Sequence, residues 1–251
     1  MSINKTNTNI PFIHHESIEE WDIRSANTSL MRYYNLADPK IISKFDKMEK
    51  RDREPAVGLY SKKNKEFAIA LEKAFTDIVG EFLNANSLDA ENDIVSIKKD
   101  AVFVRNKEIQ QSEFGDGVVK FIKKNSYSGC LLIPNYEFYY TKDSIIDVKG
   151  VSDDALNLHQ DGMLALVSLM MQESYNWIEL NQFMKEYAIA YKTRQLPFNA
   201  YREFTSLSKF RVNLYGNEVM MDEIDEELLE CTDISYNYSK IYIPALKAIA
   251  K

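Results

Sequence analysis

Six short runs rich in β-branched and aromatic residues crowd the middle of the chain, at 94–97, 101–104, 118–122, 130–133, 136–141 and 145–148. Runs this short, separated by polar turns, read as strands of one antiparallel sheet. Ile94–Ile97 and Ala101–Val104 flank Lys98-Lys99-Asp100 closely enough to form a hairpin with Asp100 at or near its tip. Gly115-Asp116-Gly117 is a natural turn before the third run. Outside this block the apolar spacing becomes helical. Phe67, Leu71, Ala74, Phe75, Ile78, Val79 and Phe82 predict an amphipathic helix over 66–83, stopping near Asn84-Ala85-Asn86. From Asp153 to about Tyr191, Leu156, Met163, Leu166, Val167, Met170 and Met171, then Trp177, Ile178, Leu180, Phe183, Met184, Tyr187 and Ala188, predict further helix with these residues as core. A strand-rich centre between helical segments predicts an α+β fold.

The N-terminal region is less patterned. Residues 1–17 read as a polar, weakly ordered lead-in, with His14 and His15 exposed. Glu20–Ile23 then reads as a short strand, followed by a tight turn and a helix that buries Leu30, Met31, Tyr34 and Leu36, with Ser25 or Asn27 as its cap. Residues 40–65 are rich in cations, among them Arg53 and Lys62, and a solvated basic segment is the plain reading. His159 reads as a surface or capping residue, and the tail from Pro197 is aromatic and mixed. The acidic run 222–230 reads as a solvated helix face or a partner-binding patch.

Composition excludes several classes. A chain of 251 residues with 45% hydrophobic and 27% charged residues can bury a core of one or two domains. The net charge of −7 and pI near 5.2 argue against a uniformly basic nucleic-acid binder. Cys130 and Cys231, with three histidines, are too few for a thiolate zinc site and read as buried thiols of a reducing compartment. The N-terminus lacks the apolar core of a signal peptide, and the longest apolar stretch, Met163–Met171, is far too short to span a bilayer. No membrane association is expected, and a cytoplasmic location is.

Two acids stand out. Asp22 and Asp100 each end an apolar strand-like run, where a carboxylate is costly without a partner. If the strands are neighbours the carboxylates converge, and paired acids suit a magnesium site for phosphoryl transfer; otherwise each is a turn or cap residue.

Residues 22–36 resemble the first palm motif of family B DNA polymerases, roughly D-F-x-S-L-Y-P-S-I-I-x-x-Y-N, with matches at Asp22, Ser25, Ser29, Tyr34 and Asn35. Lys98–Val104 resembles the third motif, D-T-D-S-V-F-V, aligned on its second acid at Asp100. Lys123-Lys124-Asn125-Ser126-Tyr127 is similar to the K-K-x-Y template–primer element, and Asp147-Val148-Lys149-Gly150 to the D-x-K-G that follows it. The four elements keep the family's order over residues 18–155.

That resemblance implies template-directed nucleotidyl transfer by a two-metal mechanism, with Asp22 and Asp100 holding two Mg2+ ions, or Mn2+ in their place. It implies a polymerase-palm-like antiparallel sheet over 18–152, a short basic and helical fingers-like insertion over about 38–86, and a helical thumb-like region over 153–251. Ser25, Asn27, Arg53 and Lys62 would contact a nucleoside triphosphate, and Lys123, Lys124, Tyr127 and Lys149 a template–primer. The departures are specific. Lys98 replaces the first acid of the D-T-D triplet, Asn27 the tyrosine that screens the sugar 2′ position, and Thr28 the proline after it. The fingers motif has no clean match, and no room for a proofreading exonuclease precedes Asp22. These departures keep open a non-catalytic, palm-like nucleic-acid-binding protein, or one subunit of a split polymerase. The small size and reduced domain set point to a phage or mobile-element protein acting in a host cytoplasm.

Overall fold

The computed structural model describes residues 4–143, 146–157, 159–171, 176–201, 211–214, 217–220 and 237–249. The fold is α+β, and its chain divides into two compact units: Met1–Asn7 with Ser17–Ser126, and Thr8–Glu16 with Tyr127–Lys251.

In the first unit the strands are β1 (Lys5–Thr6), the C-terminal part of β2 (Phe12–Ile23), β3 (Ile94–Lys98), β4 (Ala101–Arg105), β5 (Glu113–Phe114) and the N-terminal part of β6 (Val119–Ile133). Their order is β1-β3-β4-β2-β6, with β5 on β6, and the pairs β1–β3, β3–β4, β4–β2 and β5–β6 are antiparallel. Strand structure therefore begins well inside the expected lead-in. The Asn7 side chain, itself buried, donates to the Ile94 carbonyl at 2.9 Å and ties this segment down. His14 is half-buried rather than exposed, whereas His15 is exposed.

The helices of this unit are α1 (Ala26–Tyr33), α2 (Pro39–Asp46), α3 (Lys50–Lys63) and α4 (Lys65–Ala85). The α4 residues predicted to be apolar all lie in one core with Ile23, Leu30, Met31, Val102, Val104, Val119 and Phe121. Phe82 stacks on Phe121 with ring centroids 4.2 Å apart. Asn64 caps α4 by accepting the Phe67 amide hydrogen at 3.0 Å. Tyr33 and Tyr34 both donate to Glu81 of α4, at 2.9 and 2.8 Å, which pins α1 in place. The basic 40–65 segment is itself helical, since α2 and α3 bury Ile42, Phe45 and Val57 and leave their cations outward.

In the second unit β6 continues to β7 (Tyr136–Tyr140) and β8 (Ile146–Lys149), both pairings antiparallel. Gly129 of β6 lies where an added Cβ would sit 2.6 Å from the Ile13 carbonyl oxygen, so the backbones touch there. The helices are α5 (Asp153–Asn157), α6 (Ala165–Met170), α7 (Trp177–Lys192) and α8 (Ile243–Ile249), with wide turns at Gln160–Leu164 and Tyr238–Tyr242. Met163, Leu166, Val167, Met170, Met171, Leu180 and Met184 form the second core, as their spacing predicts.

Three expectations change here. Ile178 is 82% exposed, because it lies off the Leu180–Met184–Ala188 stripe. His159 holds the cap position of the wide turn, one of the two roles expected, but it is buried rather than on the surface and makes no side-chain capping bond. The expected helical C-terminal third also holds a two-stranded hairpin, β9 (Arg211–Leu214) with β10 (Asn217–Met220). The Trp177 side chain, Ile145, the acidic run 222–230 and Cys231 lie outside the described residues.

Candidate functional site

The acids at 22 and 100 meet because two strand pairings share β4. The β2–β4 register sets Glu20 opposite Phe103, Trp21 opposite Val102 and Asp22 opposite Ala101. The β3–β4 register sets Lys98 opposite Ala101, leaving only Lys99 and Asp100 at the hairpin tip. Lys99 closes that tip in a left-handed conformation, φ 52°, and its ammonium lies 4.5 Å from the Phe75 ring centroid. The Ile23 amide then donates to the Asp100 carbonyl at 3.0 Å. Residues far apart in sequence thus occupy neighbouring backbone positions.

Alternation along β2 decides which side chains join them. Trp21 and Ile23 face the helix-covered core, which directs Glu20 and Asp22 to the opposite face. On β6 the same rule separates the adjacent lysines. Lys123 pairs with Glu19 at 2.5 Å, and Glu19 also accepts from the Trp21 indole at 3.0 Å. Lys124 lies with the acids, its Nζ 3.6 Å from Asp22 Oδ2 and 3.8 Å from Glu20 Oε1. Asn125 donates to the other Glu20 oxygen at 2.7 Å.

The negative charge of this cluster is only partly compensated. Asp22, 24% exposed, has its carboxyl held above the usual aspartate range, first by burial and then by the negative charge of Asp100. Lys124 opposes that rise, and Glu20 adds to it. Glu20 was not singled out from the sequence, although its place two residues before Asp22 on a strand puts both acids on one face.

The remaining sequence candidates divide by location. Ser25 holds the cap position of α1 in a left-handed conformation, φ 51°, without a side-chain capping bond. The turn is closed instead by the hydroxyls of Thr28, to the Ser25 carbonyl at 3.3 Å, and Ser29, to the Arg24 carbonyl at 2.9 Å. Asn27, in the first turn of α1, is half-buried and its Oδ1 is buried without a hydrogen-bond partner. Arg53 and Lys62 lie on α3, half-exposed and exposed, and among the described residues the cation paired with Asp22 is Lys124 rather than either of them. Tyr127 and Lys149 belong to the second unit. Tyr127 is 3% exposed and donates its hydroxyl to Asp147 at 2.5 Å, so its ring is no stacking surface. Lys149 donates to Asp147 at 2.6 Å and to the Tyr127 oxygen at 3.2 Å.

Among the described residues no three His, Cys, Asp or Glu side chains form a group able to hold a metal ion. Two carboxylates, with water completing the shell, nevertheless fit a hard cation such as magnesium, which commonly takes only one or two protein carboxylates. The like-charge repulsion at Asp22 is what such an ion would relieve. No described helix is long and apolar enough to cross a membrane.

A sequence model described as "Bacteriophage PBS1 gene 130 protein" matches residues 2–248. No curated protein matches the sequence. Among solved structures, the chain is similar to the family B DNA polymerase from the hyperthermophilic archaeon Pyrobaculum calidifontis, at 12% identity and a TM-score of 0.47. That match covers 94% of this chain, which spans 45% of the length of the polymerase chain.

Proposed function

This chain belongs to the Bacteriophage PBS1 gene 130 protein family, and we propose that it carries out DNA-polymerase-like, template-directed nucleotidyl transfer at Asp22 and Asp100. The observation that carries this reading is the placement of two acids on neighbouring backbone positions, joined by the Ile23–Asp100 hydrogen bond, with Asp22 destabilised as an anion. Magnesium ions bound there, or manganese in their place, would supply Lewis-acid activation of a primer hydroxyl and neutralise charge on the triphosphate. The chain's own residues would do the positioning. Asp22 and Asp100 would hold the cations. Ser25 and Asn27, at the start of α1, lie closest in sequence to Asp22 and would meet the nucleotide, while Arg53 and Lys62 on α3 would meet its phosphates. Lys123, Lys124 and Lys149 would contact the nucleic-acid backbone, with buried Tyr127 orienting Lys149. In this reading residues 18–152 supply the palm-like part, with the fingers-like insertion over about 38–86, and residues 153–251 the thumb-like part, all working in the host cytoplasm.

Primer extension on a labelled template with magnesium tests the proposal. Incorporation by the wild type that is lost in Asp22→Ala supports it, and equal incorporation by both proteins defeats it.

Two observations favour a second reading. Lys124 already lies against Asp22 and Glu20, and Lys98 stands where the resembled motif has another acid. A non-catalytic nucleic-acid-binding protein, or a subunit completed by a partner polymerase chain, would need no metal. Salt-dependent DNA binding by a protein without incorporation, unchanged in the Asp22→Asn, Asp100→Asn double variant, would select this reading.

A further inference from the structure

We propose that Lys124 is the resident counter-ion of the acid cluster, and that its ammonium and a divalent cation take turns there; the proposal rests on the metal-binding reading above. Glu20 and Asp22 share Lys124 in this corner of the first unit, at 3.8 and 3.6 Å, and the negative charge of Asp100 bears on Asp22. Those two distances place the ammonium between Asp22 and Glu20 rather than in a close pair with either. Lysines elsewhere on the same strand pair more tightly, Lys120 to Glu113 at 2.8 Å and Lys123 to Glu19 at 2.5 Å.

The partners differ in what they lose when Lys124 leaves. Glu20 keeps the hydrogen bond from Asn125 at 2.7 Å. For Asp22, Lys124 is the one cationic partner among the described residues, so departure of the ammonium leaves it facing Asp100 with nothing to offset the repulsion. A divalent cation supplies that offset and also repels the ammonium. Lys124 is 54% exposed on a flexible stem, so it can swing away without disturbing the core. The cation thus converts Lys124 from an internal counter-ion into an outward-facing charge available to phosphate.

Direct binding of Mn2+, followed by electron paramagnetic resonance on the full chain, reads this without any assay of activity. Removing a half-exposed competing charge in Lys124→Met should tighten Mn2+ binding about threefold to fivefold, with Lys124→Arg and Lys120→Met close to wild type. Binding by Lys124→Met but not by the wild type would support the proposal equally. Equal affinity of wild type and Lys124→Met overturns the role of Lys124 and leaves the metal site standing. No binding by either protein overturns both. The wild type supplies a check that needs no variant to fold: Mg2+ must shift the Lys124 ε-carbon resonance and leave that of Lys120 in place. An unmoved Lys124 signal while Mn2+ binds would sink the exchange.

Discussion

The two units each set a lysine against a carboxylate, yet the two clusters differ in kind. In the second, Tyr127, Asp147 and Lys149 close on one another within 2.5–3.2 Å, and every charge has an opposite or a hydrogen bond beside it. In the first, Lys124 stands 3.6–3.8 Å from its acids, and burial together with Asp100 pushes the Asp22 carboxyl upward. A polar network whose members satisfy one another contributes to holding its strands together. A cluster left with like-charge repulsion costs stability and is suited to receive a further charge. The first is therefore the cluster proposed to take up a cation, and the second is a brace between β6 and β8, from which Lys149 reaches any phosphate only as an already paired charge.

The largest break in that comparison is chemical. Asp22→Ala and Asp100→Ala should each lower nucleotide incorporation by about 10³-fold or more, while circular dichroism stays that of the wild type. Equal rates in all three proteins would remove the distinction between the clusters. Next comes the brace. Lys149→Met leaves Asp147 with only the Tyr127 hydroxyl and should cost about 1–2 kcal/mol in urea denaturation, a figure reduced for the exposure of Asp147. Lys124→Met, by contrast, should cost less than about 1 kcal/mol, because its ion pairs are long and half-exposed. The reverse ranking would contradict the assignment of site and brace. Tyr127→Phe removes both the hydrogen bond to Asp147 and the one accepted from Lys149 and should cost about 1–2 kcal/mol, without the pH dependence expected of the first cluster.

The smallest effect carries a sign. Because the folded-state pKa of Asp22 is raised, the folded protein holds that proton more tightly than the unfolded chain does. Stability from this residue is therefore full below the unfolded value of 3.8 and is lost as pH rises through the folded one. Asp22→Asn should melt higher than the wild type at neutral pH. The gap should shrink as pH falls toward 3.8, and a gap constant across that range would show that Asp22 carries no such strain.

Much of this architecture is legible in the residues. The 3.6-residue spacing of Phe67 through Phe82 anticipates α4, and every one of those side chains is buried. The run of Ile94–Ile97, a polar tip and Ala101–Val104 anticipates the β3–β4 hairpin. Gly115, Asp116 and Gly117, all at positive φ, make the turn that their types suggest. Other features escape pattern reading. β6 is one strand through Lys123–Ser126, where a polar sequence interrupts the apolar alternation, because pairing rather than hydrophobicity keeps that stretch extended. The α2 and α3 helices are hidden by their cations, since each buries only one or two side chains. At the candidate site, Asp22 and Asp100 are visible as acids ending apolar runs, whereas Glu20 becomes a neighbour only through the pleat.

The amino-acid sequence by itself determined the class of this protein: spacing of apolar residues depends on neighbours within a few positions, and from it follow an α+β fold and the elements that carry two acids. The tertiary structure alone decided which charges share a site. Register between β2 and β4 brings Asp22 to the Asp100 hairpin, and the pleat of β6 sends Lys124 to that face and Lys123 to the other. Electrostatic energy depends on distances of a few ångströms between residues remote in the chain, and no local pattern encodes those distances.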